Sequence, residues 1–161
     1  MTDRIPLISP LYNEAVLPVL MTSMMGNNTK ICEQVVAAIR NMSANKEVCR
    51  CLFHEYGQAL LPVINDMLSP SPLGTSQSGG SGIGSDVLAE CCLGLLRNLA
   101  LVEQNRVGLY DAGVVPVLMG VIRIQAGHSD SNCDNNDSNT QKSIDHACAT
   151  LWNIAVQVDN Q

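Results

Sequence analysis

Glu90-Cys91-Cys92-Leu93-Gly94-Leu95-Leu96-Arg97-Asn98-Leu99-Ala100, followed by Asp111-Ala112-Gly113 and Val115-Pro116-Val117-Leu118, decides how the rest of the chain is read. The triplet Arg97-Asn98-Leu99 has counterparts in Arg40-Asn41-Met42 and Trp152-Asn153-Ile154. The proline motif has counterparts in Leu17-Pro18-Val19-Leu20 and Leu61-Pro62-Val63-Ile64. Two motifs alternating in one order define an internal repeat. A unit of this size cannot bury its apolar face alone, so neighbours must stack.

The repeat is helical. Ile31, Val35, Ala38, Ile39 and Met42 recur at the spacing of one helical face, and Asn28 or Thr29 can cap that helix. The same columns return 57 positions on as Leu88, Cys92, Leu95, Leu96 and Leu99, and 55 further as Ser143, Ala147, Thr150, Leu151 and Ile154. After each long helix the sequence predicts a short helix, a glycine corner and another helix. In the middle copy these are Glu103 to Tyr110, Asp111-Ala112-Gly113 and Val114 to Ile122, with Pro116 where a missing N–H does no harm. In the first copy they are Lys46 to Tyr56, Gly57, and Ala59 to Leu68, and a further helix over Glu14 to Met24 precedes the first long one. Three helices per unit is the armadillo plan, an all-α right-handed superhelix (α-solenoid). About three repeats are expected, over 11–43, 45–100 and 103–156. Two polar inserts, 69–85 and 126–142, are too poor in apolar residues to order themselves and are read as disordered. Neither end reads as a polar capping repeat, so the expectation is a segment of a longer array.

Composition narrows the function. The chain is 46% hydrophobic but only 3% aromatic, so aliphatic side chains, Cys and Met carry the packing. A net charge of −6 argues against nucleic acid as the main partner, since phosphate binding needs clustered basic side chains. No apolar run approaches the roughly 18 residues of a membrane span, and the start, with Pro6 and Pro10, does not read as a signal peptide. Of seven cysteines, Cys32, Cys91, Cys92 and Cys148 lie in apolar helical runs as small hydrophobes, and Cys49 and Cys51 fit no zinc spacing. An odd cysteine count suggests a reducing, cytoplasmic setting.

Counting back in fours from each Asn gives a recurring stripe: Asn41, Ala37, Glu33; Asn98, Gly94, Glu90; Asn153, Ala149, Asp145. An amide can pair with the backbone of an extended ligand whatever its sequence, and the small residue leaves room for a ligand side chain. Arg40 and Arg97 can hold carboxylates through bidentate contacts. The competing reading is that each Asn braces its neighbouring repeat and the charges are solvated. Trp152, in the place of the arginines, is either a core anchor or an exposed contact residue.

Beyond the general armadillo pattern, Glu90 to Arg123 resembles the tenth repeat of the beta-catenin family. Ile31-Cys32-Glu33-Gln34, Ala38-Ile39-Arg40 and His54-Glu55-Tyr56-Gly57 resemble its eighth and ninth repeats, so the likeness covers about repeats eight to eleven. The resemblance implies a scaffold that binds extended partners along a concave groove: cadherin tails and alpha-catenin in cell adhesion, TCF-type transcription factors in Wnt signalling as a coactivator. It also implies residence in the cytoplasm, at junctions and in the nucleus, with Arg40 and Arg97 at basic groove positions. Three features depart from the family and fit a divergent invertebrate member. Asn41 stands where vertebrate members have His, 69–85 has no counterpart of that length, and Glu33, Glu90 and Asp145 make the groove less basic. The importin-type Trp four residues before the Asn is absent. The rival within the fold is an unrelated armadillo adaptor, of ciliary, trafficking or ubiquitin-linked type.

Chemistry is not indicated. His54, His128 and His146 are scattered with no nucleophile motif, and Gly79 to Gly84 has no preceding strand to make a phosphate cradle. Asp130, Asn132 and Asp134 have EF-hand spacing, but Asn135 and Gln141 replace the required Gly and Glu. No enzyme activity, metal or cofactor is expected.

Overall fold

The computed structural model describes residues 16–26, 28–69, 86–127 and 137–158. Among them all regular structure is helical: α1 (Val16–Met24), α2 (Thr29–Met42), α3 (Lys46–Leu68), α4 (Asp86–Leu101), α5 (Arg106–Asp111), α6 (Val114–Gly127) and α7 (Asp137–Val158), with a 3-10 turn over Glu103–Asn105 before α5.

Local sequence accounts for most boundaries. The Asn28 side chain accepts from the Ile31 N–H at the start of α2, and Asn45 accepts from Glu47 and Val48 at the start of α3. At the end of α4, Asn105 Nδ2 donates to the Leu99 carbonyl and Arg106 Nε to that of Ala100, satisfying groups the helix leaves open. Gly113 has φ 72°, a value that favours glycine, and it stands where the chain bends 80° between Glu103–Asp111 and Val114–Gly127.

The expected corner at Gly57 is not formed. Gly57 lies buried within the continuous helix α3, beside the ring of Phe53. Gln58-Ala59-Leu60-Leu61 are good helix formers and carry the helix through, whereas Gly113 is followed at once by β-branched Val114 and Val115. Pro62 then sits inside α3, where it gives up one backbone bond. The first copy therefore has two helices where three were expected.

Two other boundaries move. Ala126-Gly127 end α6 and 137–142 open α7, so both ends of the second insert are helical. The remainder of that insert, 128–136, and 70–85 of the first lie outside the described residues, as do 11–15 of the first unit.

Packing orders the long helices. α4 packs on α2 on one side and on α7 on the other, while α1 backs α2, α3 backs α4, and α5 and α6 back α7. One apolar core runs through all of them, from Leu17 in α1 to Ile154 in α7. In α4 all five predicted column residues are buried, and in α7 Ser143, Ala147, Thr150 and Ile154 are buried with Leu151 partly so. In α2 the buried face is turned slightly, to Cys32, Val35, Val36 and Ile39, and Ile31 is 49% exposed.

Among the cysteines, Cys32, Cys49, Cys91 and Cys92 are buried free thiols. Burial pushes the Cys49 thiol up to about 12 and raises Cys91 and Cys92, so these are packing groups. Cys148, also expected to pack, is exposed instead.

Candidate protein-binding face

α2, α4 and α7 bring the predicted stripe together as three adjacent rows. Asn98 sits at the junction of the first two. Its Nδ2 donates to the Arg40 carbonyl at 3.1 Å and to Ser43 Oγ at 3.0 Å. Ser43 Oγ in turn donates to the Arg40 carbonyl at 2.7 Å, so the C-terminal turn of α2 is tied to α4. Cys49 Sγ, from α3, donates to the Asn98 carbonyl at 3.2 Å. Asn98 thus braces its neighbour. Asn41 is exposed and Asn153 half-buried.

Arg40 lies across α4. Its Nη1 is 3.1 Å from Glu90 Oε1, and a Cβ added at Gly94 would stand 2.5 Å from its Nε. Only glycine at 94 lets the side chain lie there, so the space expected to receive a ligand side chain holds the protein's own arginine. The equivalent position in α7 is Ala149. Arg97, the counterpart of Arg40, is exposed and has no ion-pair partner among the described residues. Asp145, the counterpart of Glu90, is exposed and accepts from Gln141 Nε2 at 2.9 Å. Glu33 is half-buried on α2.

His146 reaches the same Glu90 oxygen at 3.9 Å, so Arg40, Glu90 and His146 link α2, α4 and α7 in one line. Burial lowers the His146 pKa, and the positive charges of Arg40 and Arg97 lower it further against the pull of Glu90 and Asp145. A histidine depressed in the native state binds its proton later than the unfolded chain does. Its contribution is complete above the ordinary histidine pKa and is lost as pH falls below it. Urea titrations taken down through that range are expected to show falling stability, with a shallower fall for His146→Gln; equal slopes would mean that His146 is not the group responsible.

Trp152 is the chain's one tryptophan and is 72% exposed, which settles it as a surface residue. It stands in the row of Arg40 and Arg97, with Val156 exposed one turn further along α7 and Leu101 exposed at the equivalent place on α4. Among the described residues, the exposed part of the face therefore combines the unpaired Arg97 with large apolar side chains.

Sequence reading missed a concavity of about 960 Å³ between α3 and the segment 104–112 that contains α5. Phe53 lines it, its ring set so close to α5 that a Cβ at Gly108 would be 2.7 Å away. Gly57 and Gly108 flanking this ring were the available signal. Its charged lining is mixed, with Arg50, already held by Glu47 at 2.8 Å, opposed by Glu55 and Asp111.

Among the described residues no group of three His, Cys, Asp or Glu side chains is placed to hold a metal ion. Asp130, Asn132, Asp134 and Asn135 lie outside those residues, and Gln141 is in α7. No single described helix is long and apolar enough to cross a membrane.

The fold and face define an all-helical protein with a surface suited to protein contacts. No protein-family model matches the chain, and no curated protein and no solved structure matches it.

Proposed function

We propose that the chain is a non-enzymatic armadillo-type scaffold that docks extended segments of other proteins along the face made by α2, α4 and α7. The observation that carries this reading is the row Arg40, Arg97, Trp152 on three adjacent long helices, with Arg97 and Trp152 open to solvent. Exposed aromatic and arginine side chains are the groups most enriched at protein interfaces. The equivalent burial of the repeated columns in α4 and α7 supports the stacked-repeat reading.

Within that class, the resemblance of 31–57 and 90–123 to the beta-catenin family supplies the finer proposal. The partners are cadherin tails, TCF-type factors and alpha-catenin, met in the cytoplasm, at junctions and in the nucleus. An adaptor with other partners is the second reading. It is favoured by the pairing of Arg40 with Glu90, which leaves fewer free cations for an acidic tail.

Pull-down with a cadherin tail and with a TCF N-terminal peptide separates the two, and capture of neither by the complete groove removes the catenin proposal. Arg97→Glu is expected to weaken an acidic peptide about tenfold or more, as a reversed charge at a contact does, while the melting temperature stays close to wild type. A fall in melting temperature without a loss of binding would make Arg97 structural.

A further inference from the structure

The α2 row of the face is already occupied by a carboxylate from the protein itself. Arg40 Nη1 is held at 3.1 Å by Glu90 Oε1, and its side chain is laid over Gly94. His146, at 3.9 Å from the same oxygen, backs Glu90 from α7. Arg40 and Glu90 are both largely covered, their side chains 30% and 17% exposed, whereas Arg97 one row on is open.

We propose that Glu90 is a built-in competitor: its carboxylate takes the place on Arg40 that an acidic side chain of a ligand would take, so the α2 row of the face accepts acid only when Glu90 is displaced. This rests on the docking reading of the same face and adds its regulation. A ligand carboxylate at Arg40 meets a guanidinium whose Nη1 donor Glu90 already holds and whose charge it already offsets, and the internal carboxylate loses no translational freedom when it binds. A ligand carboxylate therefore gains at row 40 only the difference between itself and Glu90. At Arg97 it gains the whole contact. Ligands are accordingly selected for acid near Arg97 and Trp152 rather than near Arg40. Any event that draws Glu90 away raises affinity without a new side chain appearing on the surface.

Two measurements test this on the full chain. The first is arginine modification by phenylglyoxal, read by mass spectrometry, which needs no ligand. Arg40 is expected to react slowly in the wild type and at a rate near that of Arg97 in Glu90→Gln. The second is binding of a fluorescent, blocked peptide of alternating Glu and Ser, followed by anisotropy. Glu90→Gln is expected to bind about tenfold tighter. Asp145→Asn, which removes the same charge from the neighbouring row, should gain only about twofold through weakened repulsion. The gain should vanish when Arg40→Ala is added to Glu90→Gln, as a double-mutant cycle requires.

Unchanged Arg40 labelling in Glu90→Gln, or a gain that survives without Arg40, overturns the competitor role even if the wild type binds the peptide well. Faster labelling with no peptide bound by any variant overturns both the competitor role and the docking reading.

Discussion

Leu88→Ala is expected to cost about 2–5 kcal/mol of stability, while Ile31→Ala, at the same place in the preceding unit, stays within about 0.5 kcal/mol. The two positions are 57 apart in sequence and identical in the helical pattern, but Leu88 is 6% exposed and Ile31 49%. Leu88 is a member of the one apolar core, and truncating it there removes both buried surface and packing partners. Ile31 lies in the first turn of α2, at the edge of the described packing, where a smaller side chain loses little and alanine favours the helix. Urea unfolding of the two variants beside the wild type checks the contrast. Equal losses would mean that the outer side of α2 is covered as α4 is.

Asn98→Ala is the second large effect, expected at about 1–3 kcal/mol. The substitution removes both Nδ2 bonds to the end of α2 and leaves the Arg40 carbonyl with Ser43 Oγ as its side-chain donor. Asn98→Asp should be worse, because it turns an acceptor toward a carbonyl oxygen. Asn41→Ala removes an exposed amide and should fall within about 0.5 kcal/mol. Thermal and urea midpoints for the three variants separate a brace from a docking group: an Asn98→Ala variant as stable as Asn41→Ala would return Asn98 to the ligand-facing role.

Much of the helical layout was legible in the chain. The cap at Asn28, the turn at Gly113 and the five buried columns of α4 follow from local chemistry and the 3.6-residue period, and each forms where expected. Gly57 shows the limit of the same logic. A glycine permits a corner without imposing one, and the helix formers that follow it decided the outcome. Ile31 and Cys148 show a second limit: periodicity tells which face of a helix is apolar, but not whether a neighbour covers that face.

The candidate face divides in the same way. That Asn, a small residue and a carboxylate recur in register, with Arg40, Arg97 and Trp152 beside them, could be counted along the chain. Which of them face a ligand could not, because the same letter meets different neighbours in different rows. Asn98 meets the open carbonyl at the end of α2, Arg40 meets a glycine it can lie on and a glutamate 50 residues away, and Arg97 stands in solvent with no ion-pair partner among the described residues. Sequence alone determined the helical class, the repeated columns and the candidate residues, since these depend on spacing and backbone preference within one element. Tertiary structure alone decided which arginine is neutralised, which amide is a brace and that Trp152 stands in solvent, since each depends on distances between helices far apart in sequence.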